Sequence, residues 1–143
     1  MDNRIEGGDV VTENELAIKF KKNIEKSGYE IIREVPFMSR CIDAVVIKNG
    51  KYRSVEHKLH NWKKALEQAR THQIGADKSY ICMPIPAMKF ADNFIKNLKH
   101  RGIGLISFEE DKFNLEIRAK QNLHWRPAKD SFINFVEKIK EDK

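Results

Sequence analysis

Long apolar runs are missing from this chain. None approaches the ~18 residues that a membrane-crossing helix requires, so no membrane partner is expected. Cysteine is scarce: two in 143 residues, too few for a disulfide framework or a cysteine-based zinc site. Cys41 and Cys82 fall in segments read as strands and are expected to be small buried hydrophobes. The five histidines, His57, His60, His72, His100 and His124, show no zinc spacing. The opening MDNRIEGGDVV lacks the charged and then apolar layout of a signal peptide, so the expected location is the cytoplasm. With no repeat, low-complexity tract or linker, residues 1–143 are expected to form a single domain.

Charge is plentiful. Lys and Arg number 27 against 21 acids, a net +6 with a pI near 9.3. That balance favours polyanionic partners without defining one.

Thr12-Glu13-Asn14-Glu15 has the form of a capping box and opens a helix to about Ser27, stopped by Gly28. Its buried stripe is Leu16, Phe20 and Ile24. Tyr29–Val35 reads as a strand limited by Pro36. Asn49-Gly50 between apolar runs is a strong hairpin signal, because a type I′ turn needs positive φ at both central residues. Cys41–Ile47 and Tyr52–Lys58 are therefore expected to pair antiparallel. Asn61 caps a second helix to about Gln73, with Trp62, Ala65, Leu66 and Ala69 inward. Ser79–Met83 is a short strand. Pro84 and Pro86 precede a third helix with Met88, Ala91, Ile95 and Leu98 inward and Gly102 at its C-cap. A second hairpin joins Ile103–Phe108 to Phe113–Arg118 across Glu109-Glu110-Asp111-Lys112. The last helix, about Pro127–Lys140, is expected to bury Phe132, Phe135, Val136 and Ile139. The order αβββαβαββα argues an α/β fold, a mixed β-sheet flanked by helices on both faces.

A two-residue turn at Asn49-Gly50 places Asp43 opposite Glu56. Side chains alternate along a strand, so Lys58 shares their face, while Ile42, Ala44, Val46, Val55 and His57 point the other way. Two carboxylates about 5 Å apart repel by roughly 3 kcal/mol at an effective dielectric of 20. Lys58 supplies one charge against two. A divalent oxygen-ligand ion such as Mg²⁺, bound through one or two carboxylates, would compensate the rest. On the first helix Glu13 precedes Leu16, Phe20 and Ile24 by three, seven and eleven positions and so belongs to the inward stripe, whereas Glu15 faces away. Gln68, at the edge of the second helix's apolar stripe, is placed to point back over the hairpin.

These residues resemble the PD-(D/E)xK nuclease superfamily, whose restriction-endonuclease-like fold includes Holliday junction resolvases. That pattern is a helical glutamate, an aspartate, E-x-K on the next strand, and a helix often bearing glutamine. It reads here as Glu13 in ENELAIKF, Asp43 in RCIDAVV, Glu56 and Lys58 in VEHK, and Gln68 in ALEQARTH. The likeness covers roughly residues 12–84. Ile42 takes the place of the proline that names the motif, and His72 stands where one branch has tyrosine.

The resemblance implies an enzyme, a Mg²⁺-dependent endonuclease in which Mn²⁺ can substitute. It implies that Asp43 and Glu56 hold the metal, with the His57 carbonyl, and that Glu13 ligates through water or supports a second ion. It gives Lys58 the orientation of the attacking water and stabilisation of the transition state, and Gln68 the positioning of the phosphate or of Lys58. Lys48, Lys51, Arg53, His60, Lys63, Lys64 and Arg70 are candidate phosphate contacts. Trp62 and Trp125 are expected to pack rather than stack on bases. The expected partner is nucleic acid, with DNA preferred. Duplex cutting would call for a homodimer, and a partner protein could direct the chain to substrate. The alternative is a catalytically silent nucleic-acid-binding or protein-interaction module of the same fold; a further one is a structural domain with surface acids.

Overall fold

The computed structural model describes residues 12–85, 90–123 and 125–142. Its elements are α1 (Glu13–Lys26), β1 (Glu30–Phe37), β2 (Arg40–Lys48), β3 (Lys51–His57), α2 (Trp62–His72), β4 (Lys78–Pro84), α3 (Asp92–Arg101), β5 (Gly104–Glu109), β6 (Lys112–Ile117) and α4 (Arg126–Glu141). The strands form one six-stranded sheet in the order β1-β2-β3-β4-β5-β6. Strand β4 runs parallel to β3 and β5, to which it is joined through α2 and α3, while the hairpin-linked neighbours are antiparallel. This is the mixed α/β sheet, helices on both faces, that the element order implies.

Local chemistry sets the boundaries. Thr12 Oγ1 accepts from the Glu15 N–H at 3.0 Å, the N-cap half of a capping box, and donates to Glu15 Oε1 at 3.2 Å. At the first hairpin Asn49 (φ 54°) and Gly50 (φ 72°) make the expected turn. The second hairpin bends at Glu110 and Asp111 with no glycine, and Lys19 reaches Asp111 at 2.9 Å.

Three clusters make the core. On one face α1 lays Leu16 and Phe20 against Ala44, Val46, Val55, Tyr80 and Cys82. On the other, α4 packs Phe132 and Val136 onto Ile32, Val35 and Val45, and α2 and α3 pack Ala65, Ala69, Phe94 and Leu98 onto Ile81 and Leu105. Each fully buried large side chain here stabilises the fold by about 1.5–3 kcal/mol.

Several side chains depart from expectation. Ala91, expected inward, is exposed at the N-cap of α3, and Glu13, expected on the inward stripe of α1, is exposed at its first turn. Ile42 joins the Val45 cluster under α4 rather than the Ala44 face. The pairing of β1 with β2 skips Glu34 and Asp43, and Glu34 has φ 56°, so strict alternation breaks there. Cys41 is exposed, because β2 continues past the Ala44–Val55 end of its pairing with β3 and has only β1 beside it. Phe135 is 42% exposed: the α4 stripe advances by fours through Ala128, Phe132 and Val136 and leaves Phe135 on its flank. Trp125 is 65% exposed at the α4 N-cap, where its backbone N–H donates to the Ile74 carbonyl at 3.2 Å. The expected positions of Pro86, Met88 and His124 lie outside the described residues. No helix among the described residues is long and apolar enough to cross a membrane.

Candidate active site

Pairing of β2 with β3 follows the register set by the two-residue turn and stops at Ala44–Val55. Carboxylates make the next two bonds. The Asp43 N–H donates to Glu56 Oε1 at 3.3 Å, and the His57 N–H donates to Asp43 Oδ2 at 2.9 Å. Asp43 and Glu56 thus stand opposite each other at the strand end, as the turn geometry requires.

Their environments differ. Glu56 is 1% exposed and pairs in register with Ile81, so it shares the face covered by α2. Burial pushes its carboxyl up to about 9, with the charge of Asp43 adding to the effect. Burial also works to raise Asp43, but His57 outweighs it and holds Asp43 below its ordinary value. The His57 backbone bond is the shorter contact, since ring Nδ1 stands off at 3.8 Å. One carboxyl is therefore protonated at neutral pH and the other ionised, which is how two acids coexist at this distance without a cation.

His72, in the last turn of α2, completes the buried surround. Its Nε2 lies 3.6 Å from Glu56 Oε1. Burial pushes the imidazole down to about 4, so at neutral pH both groups are uncharged and the contact is not an ion pair. In the PD-(D/E)xK pattern His72 stands where one branch has tyrosine, which gave it no role beside the acid pair. Its position gives it one: Ala65, Ala69 and His72 continue one inward stripe.

Glu13 and Lys58 approach from the α1 side. Lys58 Nζ lies 3.8 Å from Glu13 Oε1, and the Leu59 N–H donates to Glu13 Oε2 at 3.4 Å. Lys58 exerts a minor lowering influence on Glu56. It lies just past the end of β3, where its N–H bonds the Cys82 carbonyl. Gln68 is half-buried one turn before His72, and its Oε1 is buried without a hydrogen-bond partner.

The basic residues do not share one surface. Lys48 and Lys51 flank the hairpin turn, five residues from Glu56 along β3 at the nearer, or about 17 Å. Lys48 Nζ sits 4.4 Å from the Tyr29 ring centroid. Arg53 turns into a cleft under α1. His60, Lys63 and Lys64 are exposed just after Lys58, and Arg70 is exposed farther along α2. Trp62 packs on Phe94 at 5.2 Å between ring centroids.

Among the described residues no group of three His, Cys, Asp or Glu side chains gathers as a ligand set. The acids divide into the Asp43–Glu56 pair and a Glu13 engaged with Lys58 and Leu59. The pair still suits a hard divalent ion, which needs only one or two carboxylates beside water, and a buried carboxyl holding a proton at neutral pH is a group that a cation can deprotonate.

No family model and no curated protein matches the chain. Solved structures do share its fold. The SPO1766 protein of unknown function from Silicibacter pomeroyi is 14% identical, with 94% of this chain and 90% of that chain covered at a TM-score of 0.66. A protein of unknown function, AF1548, is 20% identical over 64% of this chain and 56% of that chain, TM-score 0.53. Pyrococcus furiosus SfsA, solved in complex with Ca²⁺, is 16% identical over 80% of this chain and 68% of that chain, TM-score 0.50. At these identities the likeness defines a class of fold, a mixed α/β sheet, and no activity.

Proposed function

We propose that this chain is a cytoplasmic, metal-dependent endonuclease of the PD-(D/E)xK type, hydrolysing phosphodiester bonds in nucleic acid, with DNA the preferred polymer. The observation that carries the reading is the opposed Asp43–Glu56 pair at the end of β3, with a protonated, desolvated Glu56 beside an ionised Asp43. A fold with no such chemistry has little reason to bury a second acid against the first. That SfsA, a protein of like fold, takes Ca²⁺ is in keeping with an oxygen-ligand site.

In this reading Asp43 and Glu56 would hold Mg²⁺ or Mn²⁺, with Glu56 ionised to do so. The ion supplies charge neutralisation and an activated water. Lys58, steadied by Glu13, presents its ammonium to negative charge developing on the phosphoryl oxygens as the water oxygen bonds to phosphorus and the P–O bond to the leaving strand breaks. Glu13 holds Lys58 and the Leu59 N–H in place. Gln68 offers its free Oε1 to orient the water or Lys58. His60, Lys63 and Lys64 meet phosphates next to the site, making binding salt-dependent.

A second reading, a silent binding module, is favoured by the commitment of Glu13 to Lys58 rather than to the acid pair. Labelled duplex, single-stranded and branched DNA and RNA, incubated with Mg²⁺ or Mn²⁺, separate the two. Cuts that vanish with EDTA and in Lys58→Ala support the nuclease. Binding without cuts by folded wild type supports the module.

A further inference from the structure

Among the described residues the face that carries α1 has no other helix, and α1 does not reach across all six strands. Beneath its C-terminal half lies a cleft of about 230 Å³. Phe20, Ile24, Val46, Val55, Ile106 and Phe113 form its walls, with Leu115, about half exposed, among the lining residues.

One charged side chain enters this apolar space. Arg53 pairs in register with Val46 and points with Val55 into the cleft. Its Nη1 is buried and has no hydrogen-bond partner. No carboxylate is among the described residues that line the cleft; their other polar members are Asn23, Tyr29, Tyr80 and Asn114. Further positive charge gathers around it. Burial raises the Tyr80 phenol, while the charges of Arg53 and Arg118 both pull it back. Lys48 Nζ sits 4.4 Å from the Tyr29 ring centroid.

We propose that this cleft is a binding site for a small organic anion, whose apolar body fills the space between α1 and the sheet and whose single acidic head meets Arg53. A buried guanidinium nitrogen with no acceptor costs its desolvation, and an anionic ligand removes that cost with a charge-assisted bond. Water could satisfy Nη1 but would leave the aromatic walls wet. An apolar concavity with a few convergent polar groups is the ordinary form of a small-molecule site. The cleft and the acid pair lie on opposite faces of the sheet: Val55 points under α1, and its neighbour Glu56 shares the face of Ile81 under α2, so the proposal does not rest on the nuclease reading.

The test is titration of the full chain with octanoate, octanol and inorganic phosphate, followed by calorimetry and by amide NMR shifts. Octanoate is expected to bind saturably at one site, at least tenfold more tightly than octanol or phosphate, the difference one charge-assisted hydrogen bond makes. The shifts should centre on Val46, Val55 and Ile106. Arg53→Met should abolish the preference for octanoate over octanol. Leu115→Glu, at an exposed position, adds a negative charge without disturbing the core and should weaken octanoate several-fold while sparing octanol; it decides the matter if Arg53→Met does not fold. Equal affinity for octanoate and octanol, no saturable octanoate binding, or shifts centred elsewhere would overturn the proposal.

Discussion

Asp43 and Glu56 face each other across the end of the β2–β3 pairing, the Asp43 N–H donating to Glu56 Oε1 at 3.3 Å. The bond ties the backbone of one acid to the carboxyl of the other. Burial keeps Glu56 protonated against that bond while His57 keeps Asp43 ionised, and the protein's response to pH follows from that division.

Glu56 keeps its proton in the folded chain up to about pH 9 but loses it above 4.5 when unfolded. Across that window the folded state binds more protons, so stability falls as pH rises. Metal-free protein should lose on the order of 2 kcal/mol between about pH 7 and about pH 9, measured as the fall in urea midpoint. Glu56→Gln should show no such fall. An equal loss in the variant would assign it to another group.

His72 acts in the opposite sense. Its folded value is about 4 against 6.5 unfolded, so between them the unfolded state binds more protons and stability drops on acidification. From about pH 6.5 to 4.5 this opposes the Glu56 effect. Removing either group should expose the other: Glu56→Gln should become more acid-sensitive than wild type, and His72→Leu less so, by up to about 3 kcal/mol over the whole step. Identical acid limbs in wild type and His72→Leu would rule out a neutral buried imidazole.

Asp43→Asn keeps an acceptor for the His57 N–H and removes the charge that helps raise Glu56. Burial still holds Glu56 above its ordinary value. The alkaline loss should therefore shrink without vanishing, each unit by which Glu56 falls removing about 1.4 kcal/mol of the total. Urea midpoints at several pH values, compared with wild type, measure this directly.

Asp77 is a structural acid. It is 2% exposed, accepts from the Tyr52 N–H at 2.8 Å and pairs with Lys129 Nζ at 3.1 Å, joining α4 to the sheet. Asp77→Ala should cost about 3 kcal/mol by leaving a donor and a cation unmatched. Lys129→Met should cost less. Under the proposed function, cleavage at a temperature where both variants stay folded should be unchanged.

Much of the fold was legible because its signals are local. Asn49-Gly50 fixes a turn, the turn fixes a register, and the register places Asp43 against Glu56. Strict alternation carried the reading only to Glu34 and Asp43, where a left-handed residue and a skipped pair move Ile42 to the other cluster. Cys41 and Phe135 show the same limit: strand overhang and helix azimuth depend on neighbours that pattern alone does not locate. Lys58 was expected to stand with both carboxylates. It lies past the last strand residue, where the Glu13 carboxylate on α1 is its ion-pair partner. The contact of His72 with Glu56 and the entry of Arg53 into the cleft arise from tertiary packing, and the inward stripe of α2 hinted at the first.

If the acid pair is a cation site, binding must expel the Glu56 proton. The most direct measurement is a calorimetric Mn²⁺ titration at about pH 7 in buffers of different ionisation enthalpy, wild type beside Glu56→Gln. Binding at one site with release of about one proton, lost in the variant, is the expected result. Absence of Mn²⁺ binding by folded wild type, or binding without proton release, would contradict the assignment of Asp43 and Glu56 as metal ligands.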